Sequence, residues 1–225
     1  MDRTCTACRY GNPAEVLRSH PALLDFPFLA FYLDTAGKAI TQPFMQILGI
    51  SGSLRTTSFN SGLLRAAGAE LPSGVTMLTA SLADIPLYNG DLDVEGGPEP
   101  VRLFKQHIAA ADALLIATPE YNWSLPGVLK NAIDWASRPP RTSVLNGKPV
   151  AMMGVGGISG TMRAQLQLRQ LCVACNMLAL NRPLVQVQSP KDKFDEGGNL
   201  TDAQTRTHVR ELVSALVAWT ERVAG

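Results

Sequence analysis

Met45-Gln-Ile-Leu-Gly-Ile-Ser-Gly-Ser-Leu-Arg-Thr-Thr-Ser-Phe-Asn60 carries a short apolar run into a turn of glycine, serine and arginine, and a helical pattern follows. The run Gln46–Ile50 has no polar alternation, so it reads as a strand buried on both faces. The Ser51–Ser58 turn opens a helix whose first N–H groups have no preceding carbonyl to bond, which makes it an anion site. Gly52 lets the backbone come close, Ser53 and Ser58 offer hydroxyls, Arg55 offers a charged fork, and Asn60 braces the turn. The set suits a phosphomonoester. It lacks the Gly-Lys-Ser/Thr of a nucleoside triphosphate loop and the G-x-G-x-x-G spacing of a dinucleotide fold. Taken alone, the same residues read equally well as helix caps, Ser58 above all.

Outward from this stretch, apolar runs alternate with helical patterns to the C-terminus, the signature of a parallel sheet covered on both faces. Strands are predicted near Gln46–Ile50, Val75–Thr79, Ala113–Thr118, Pro149–Val155 and Leu184–Gln188. Helices are predicted over about Phe59–Glu70, Glu99–Ala110, Pro126–Ser137, Met162–Cys175 and Asp202–Val223. Five strands joined by single crossovers most simply build a doubly wound α/β sheet of order 2-1-3-4-5, with ligands beyond the carboxyl ends of strands 1 and 3. That topology selects three loops: Ser51–Ser58, Pro119–Gly127 and Gly154–Gly160.

The second loop, Thr118-Pro-Glu-Tyr-Asn-Trp-Ser-Leu-Pro-Gly127, clusters polar and aromatic groups at a strand end. Such a loop can meet the edge atoms and the faces of a flat heteroaromatic ring. The third loop, Gly154-Val-Gly-Gly-Ile-Ser-Gly160, is a near miss to a dinucleotide fingerprint; it reads either as a tight turn needing positive φ or as a close approach to a ligand.

The segments GSLRTTSFN, PEYNWSLPGVLKNAIDW and GVGGISGTMRAQLQLRQ resemble the NAD(P)H-dependent FMN reductases, a group that includes bacterial chromate and quinone reductases and azoreductases. The resemblance runs from Met45 to the C-terminus. It implies a flavodoxin-like three-layer sandwich that holds FMN and uses NADPH or NADH to reduce quinones, azo compounds, chromate or free flavin by ping-pong hydride transfer. It further implies that Ser53, Arg55, Ser58 and Asn60 hold the FMN phosphate. Pro119, Glu120, Tyr121 and Asn122 would border the ribityl chain and isoalloxazine, and Gly156 and Gly157 would approach the ring. Glu120 is implied as a structural or inter-subunit contact, so no side chain is assigned proton transfer. A homodimer or homotetramer is implied as well. A non-catalytic flavodoxin-type electron carrier is the competing reading, weakened by 20 basic against 19 acidic residues where a strongly acidic docking face is expected.

With a formal charge of +1 and scattered basic residues, the chain offers no field for nucleic acid. The apolar stretch Pro21–Leu33 is broken by Asp25 and Pro27, too short for a bilayer and without a signal-peptide pattern, so the protein is read as cytoplasmic. Cys5/Cys8 and Cys172/Cys175 form two C-x-x-C pairs that could supply zinc thiolates, yet the second lies inside a helical pattern where cysteine acts as a small buried hydrophobe. His20, His107 and His208 lack ligand spacing, and no metal site is assigned. Trp135 is read as packed rather than stacked on a ligand. Residues 1–44 lack strand-helix alternation and are read as an irregular extension or a start-site artefact before a 45–225 reductase domain; an accessory arm on a partner subunit is the alternative.

Overall fold

The computed structural model describes residues 45–224; the expectations for residues 1–44, including Cys5 and Cys8, lie outside the described residues. The strands are β1 Met45–Ser51, β2 Val75–Ala80, β3 Ala113–Ala117, β4 Pro149–Val155, β5 Leu178–Ala179 and β6 Val185–Val187. The helices are α1 Phe59–Ala69, α2 Glu99–Ala110, α3 Gly127–Ala136, α4 Met162–Ala174 and α5 Ala203–Ala224. All strand pairings are parallel, in the order β2-β1-β3-β4-β5, with β6 also on β4. This is the flavodoxin-like arrangement.

The burial pattern follows the position of each strand. β3 and β4 are buried along their whole length because helices cover both faces. β2, at the sheet edge, alternates and is largely open. One layer places Leu63, Leu64 and Ala67 of α1 with Val209, Leu212, Val213 and Leu216 of α5 against the sheet. The other places Phe104 and Ile108 of α2, Leu129 and Ile133 of α3, and Leu168 and Cys172 of α4 on the opposite face. Each large side chain so buried contributes about 1.5–3 kcal/mol. Among the described residues, no helix is long and apolar enough to cross a membrane.

The predicted last strand, Leu184–Gln188, is only part of the answer. The final position in the sheet is filled twice, by Leu178–Ala179 along the start of β4 and by Val185–Val187 along its end. Between them Pro183 offers no N–H for a ladder, so the chain leaves the sheet and returns. Trp135 is fully buried, its Nε1 donating to the Pro86 carbonyl at 2.8 Å, in keeping with the packing role read from the sequence.

Candidate functional site

Three loops meet at the carboxyl ends of β1, β3 and β4. Gly52 N–H donates to Ala117 O at 2.8 Å and Thr118 N–H to Met153 O at 3.0 Å, which ties the first loop to the end of β3 and the start of the second loop to β4. A Cβ on Gly52 would lie 3.3 Å from both Pro119 and Thr118, so the first two loops are in close contact there.

The first loop is held from within. Ser53 N–H donates to Ser51 Oγ at 3.3 Å, Ser61 Oγ donates to Ser51 Oγ at 3.0 Å, and Ser58 caps α1 by accepting from Ser61 N–H. The N–H groups of Leu54, Thr56, Thr57, Phe59 and Asn60 have no acceptor among the described residues. Leu54 to Thr57 are exposed, and the Arg55 guanidinium stands 5.9 Å from the Phe59 ring centroid. A cluster of free amides with a positive dipole end and an exposed guanidinium is what a phosphate dianion requires. Asn60 has a different place: its Nδ2 donates to Val155 O at 3.2 Å and its Oδ1 accepts from Val155 N–H at 3.0 Å. It is buried and staples α1 to the end of β4, so its side chain positions the loop from below.

In the second loop Pro119 is buried and Tyr121, Asn122 and Trp123 are exposed. Tyr121 and Ser124 exchange both backbone hydrogen bonds, at 3.0 and 2.9 Å, closing a two-residue turn over Asn122 and Trp123. The Glu120 side chain is only 6% exposed and reaches across to the third loop. It accepts from Ser159 Oγ at 2.9 Å, Arg163 Nε at 2.7 Å, Arg163 N–H at 3.0 Å and Ala164 N–H at 3.2 Å, the last two in the first turn of α4. Burial by itself would raise its pKa, but the Arg163 hydrogen bond, with those from Ser159 and Ala164 and the Arg163 charge, holds the carboxyl below its ordinary value. An ionised carboxylate with all its lone pairs engaged is a clasp and makes a poor base.

The third loop makes a tight turn through positive φ, as one of its two sequence readings requires. Gly156 and Gly157 do not adopt positive φ; the left-handed residues are Gly160, at 53°, and Thr161, at 70°. Gly156 must lack a Cβ for a different reason, since one would fall 2.8 Å from Thr161 Cγ2. At Gly157 a Cβ would meet nothing within 4 Å, so neither backbone angle nor packing demands glycine and the space beside it is free for a ligand. Gln165 helps to hold the buried Thr161, its Nε2 donating to Thr161 Oγ1 at 3.1 Å and to Val185 O at 3.0 Å.

Several supports had no sequence signal. Ser159 and Arg163 serve Glu120 from 39 and 43 residues away. The turn Asp195–Asn199 packs on the outside of the first loop: a Cβ on Gly62 would lie 1.9 Å from Gly198 O, and one on Gly198 would lie 2.7 Å from Thr57 O. Arg65 fastens that turn through Asn199 Oδ1 at 2.9 Å and Gly198 O at 3.0 Å. Cys172 is buried on α4 and Cys175 is half-buried at its C-cap, both as free thiols. Among the described residues, no three histidines, cysteines or carboxylates come together as metal ligands.

The donor set therefore fits a flavin mononucleotide: free amides and Arg55 for a terminal phosphate, and an exposed polar and aromatic loop with an open glycine for a flat ring. A flavodoxin-like domain with such loops is a flavoprotein by class. Residues 45–191 match the NADPH-dependent FMN reductase family. The chain is 47% identical over 182 residues to an NAD(P)H-dependent FMN reductase of Pseudomonas aeruginosa, covering 80% of this chain and 98% of that one. It is 42% identical over 176 residues to a 2-hydroxy-1,4-benzoquinone reductase of a Burkholderia species, covering 78% of this chain and 96% of the relative. Among solved structures, the flavoenzyme NAD(P)H:(acceptor) oxidoreductase FerB of Paracoccus denitrificans superposes with a TM-score of 0.71 at 32% identity, covering 79% of this chain and 98% of that one. An archaeal flavodoxin, at a TM-score of 0.54 and 15% identity over 80% of this chain and 100% of that one, shares the fold alone. The chain belongs to the NADPH-dependent FMN reductase family: it is an oxidoreductase that works with FMN and a reduced nicotinamide nucleotide.

Proposed function

We propose that the protein is an NAD(P)H:quinone reductase whose domain 45–225 holds FMN across the three loops. The observation that carries this reading is the run of amides at Leu54, Thr56, Thr57, Phe59 and Asn60 that have no acceptor among the described residues, beside Arg55 and adjoining two further loops at the same sheet edge. Ser53, Arg55 and Ser58 bind the phosphate, and Asn60 keeps the loop in place through Val155. Pro119, Glu120, Tyr121 and Asn122 border the ribityl chain and ring, with Glu120 fixing the second loop against the third. Gly157 leaves room for the ring to approach, and Gly156 lets the loop close against Thr161 beside it.

When bound, FMN supplies the redox chemistry, accepting a hydride from the nicotinamide and passing two electrons to the acceptor. The chain's part is to position the ring and leave one face open. Nucleotide and acceptor are both flat and share that face, so the nicotinamide product leaves before the acceptor enters, a ping-pong order. Quinones are the first acceptors, in line with the quinone-reducing relatives. Azo compounds and free flavin are further flat acceptors of the same open site, and chromate, a compact tetrahedral anion, is an acceptor there that needs no stacking. A homodimer or homotetramer is supported by the exposed Leu87, Leu92 and Val94, which offer an apolar surface for subunit contact.

The test is an anaerobic titration of purified, FMN-loaded protein with NADPH and NADH, followed by a quinone. Bleaching of the flavin absorbance by nucleotide and its return on adding quinone supports the reading; bound flavin that neither nucleotide bleaches overturns it. Arg55→Ala should weaken FMN about tenfold and leave riboflavin, which has no phosphate, unaffected.

A further inference from the structure

Trp123 is the strained side chain at the site to which the reading above gives no work. With Asn122 it forms the turn between Tyr121 and Ser124, and both residues hold positive φ, 66° and 50°. The second position of such a turn ordinarily takes glycine, because a left-handed Cβ crowds the following carbonyl. Burial does not compensate the ring, which is 70% exposed. It is nevertheless held. The Arg163 guanidinium lies 4.6 Å from the ring centroid, Gln167 Nε2 donates to Trp123 O at 3.2 Å, and Ser124 Oγ donates to Gln167 Oε1 at 2.6 Å. Arg163 is itself fixed by Glu120. The indole therefore stands at the seam between the loops after β3 and β4, with the exposed Tyr121, Ile158 and Met162 on the same two loops and the start of α4. Strained residues of this kind persist where their surroundings over-determine them, and they gather at ligand sites.

We propose that Trp123 is a specificity-determining residue that gives flat aromatic acceptors, quinones above all, a face to stack on. The proposal rests on the reductase reading above. An exposed, immobilised indole stacks in an offset manner on planar rings, and the Arg163 cation behind it keeps one face occupied and the other free. Ferricyanide, an octahedral anion without a flat face, gains nothing from the ring and serves as the comparison acceptor.

The experiment compares FMN-loaded wild type with Trp123→Gly and Trp123→Phe. Glycine removes the ring while supplying the residue the turn prefers, so the fold is not weakened. The expected result is an unchanged or higher melting temperature and an unchanged FMN dissociation constant by flavin fluorescence. The quinone KM should rise about five- to tenfold relative to the ferricyanide KM, with phenylalanine restoring most of the difference. An unchanged KM ratio overturns the proposal. So does a parallel loss of both acceptors with a smaller sedimentation coefficient, which makes the ring a subunit contact, or a loss of FMN affinity, which makes it a cofactor contact. Wild-type flavin that no nucleotide reduces overturns both readings together, which separates that failure from a failure of Trp123 alone.

Discussion

Replacing Glu120 with glutamine tests whether this carboxylate is the clasp between the two loops. Glutamine keeps one acceptor oxygen, enough for Ser159 Oγ and Arg163 Nε, but turns an NH2 toward the N–H groups of Arg163 and Ala164, now 3.0 and 3.2 Å from a carboxylate oxygen. Two donors then face a donor. An unsatisfied buried amide costs about 1–3 kcal/mol. The Arg163 side chain is 37% exposed and water recovers part of the loss, so Glu120→Gln should destabilise by about 2–3 kcal/mol. For a domain of this size that lowers the melting temperature by about 5–10 °C. The pH dependence adds a second criterion. Because the folded pKa of Glu120 is depressed, its contribution is fully present above the ordinary value of 4.5 and is lost as pH falls through the lower folded value. The stability gap between wild type and variant, measured by urea unfolding, should be constant from neutral pH to about 5 and close below 4.5 as wild-type Glu120 becomes neutral. A gap that is absent at pH 7, or that persists unchanged once the carboxyl is protonated, refutes the clasp.

Gly62→Ala should push the Asp195–Asn199 turn off the first loop, since its Cβ would lie 1.9 Å from Gly198 O. We expect about 1–3 kcal/mol of destabilisation in denaturant unfolding and a drop in the preference for FMN over riboflavin. Burial pushes the Cys172 thiol up to about 12 from an ordinary 9.0. Iodoacetamide at pH 8, read by peptide mass spectrometry, should leave Cys172 unmodified in the folded protein and alkylate it only in denaturant.

Much of the fold was legible because local rules and tertiary structure agree. Buried parallel strands read as unbroken apolar runs, and Ala113–Ala117 and Pro149–Val155 are of this kind. The 2-1-3-4-5 order followed from counting crossovers, and it directed attention to the three loops that do converge. Where the reading fell short, a contact distant in sequence decided the matter. The last strand was split because a second short segment, Leu178–Ala179, shares the edge of β4, and two residues give no periodicity to read.

The candidate site divides in the same way. The chemistry of the first loop, its glycine, serines and arginine before a helix, was fixed by residues adjacent in the chain, because a helix start exposes its amides whatever packs around it. Tertiary structure alone decided which side chains face a ligand and which hold the frame. Asn60 turned inward because Val155, 95 residues on, presents both an N–H and a carbonyl to it. Glu120 became a clasp because the open end of α4 lies within its reach. Gly156 is glycine because Thr161 occupies the space a Cβ would need, and not because of its own backbone angle. Local sequence determines which groups a segment offers; only the folded chain determines which of them find a partner, because the partners are brought together by packing and not by proximity along the chain.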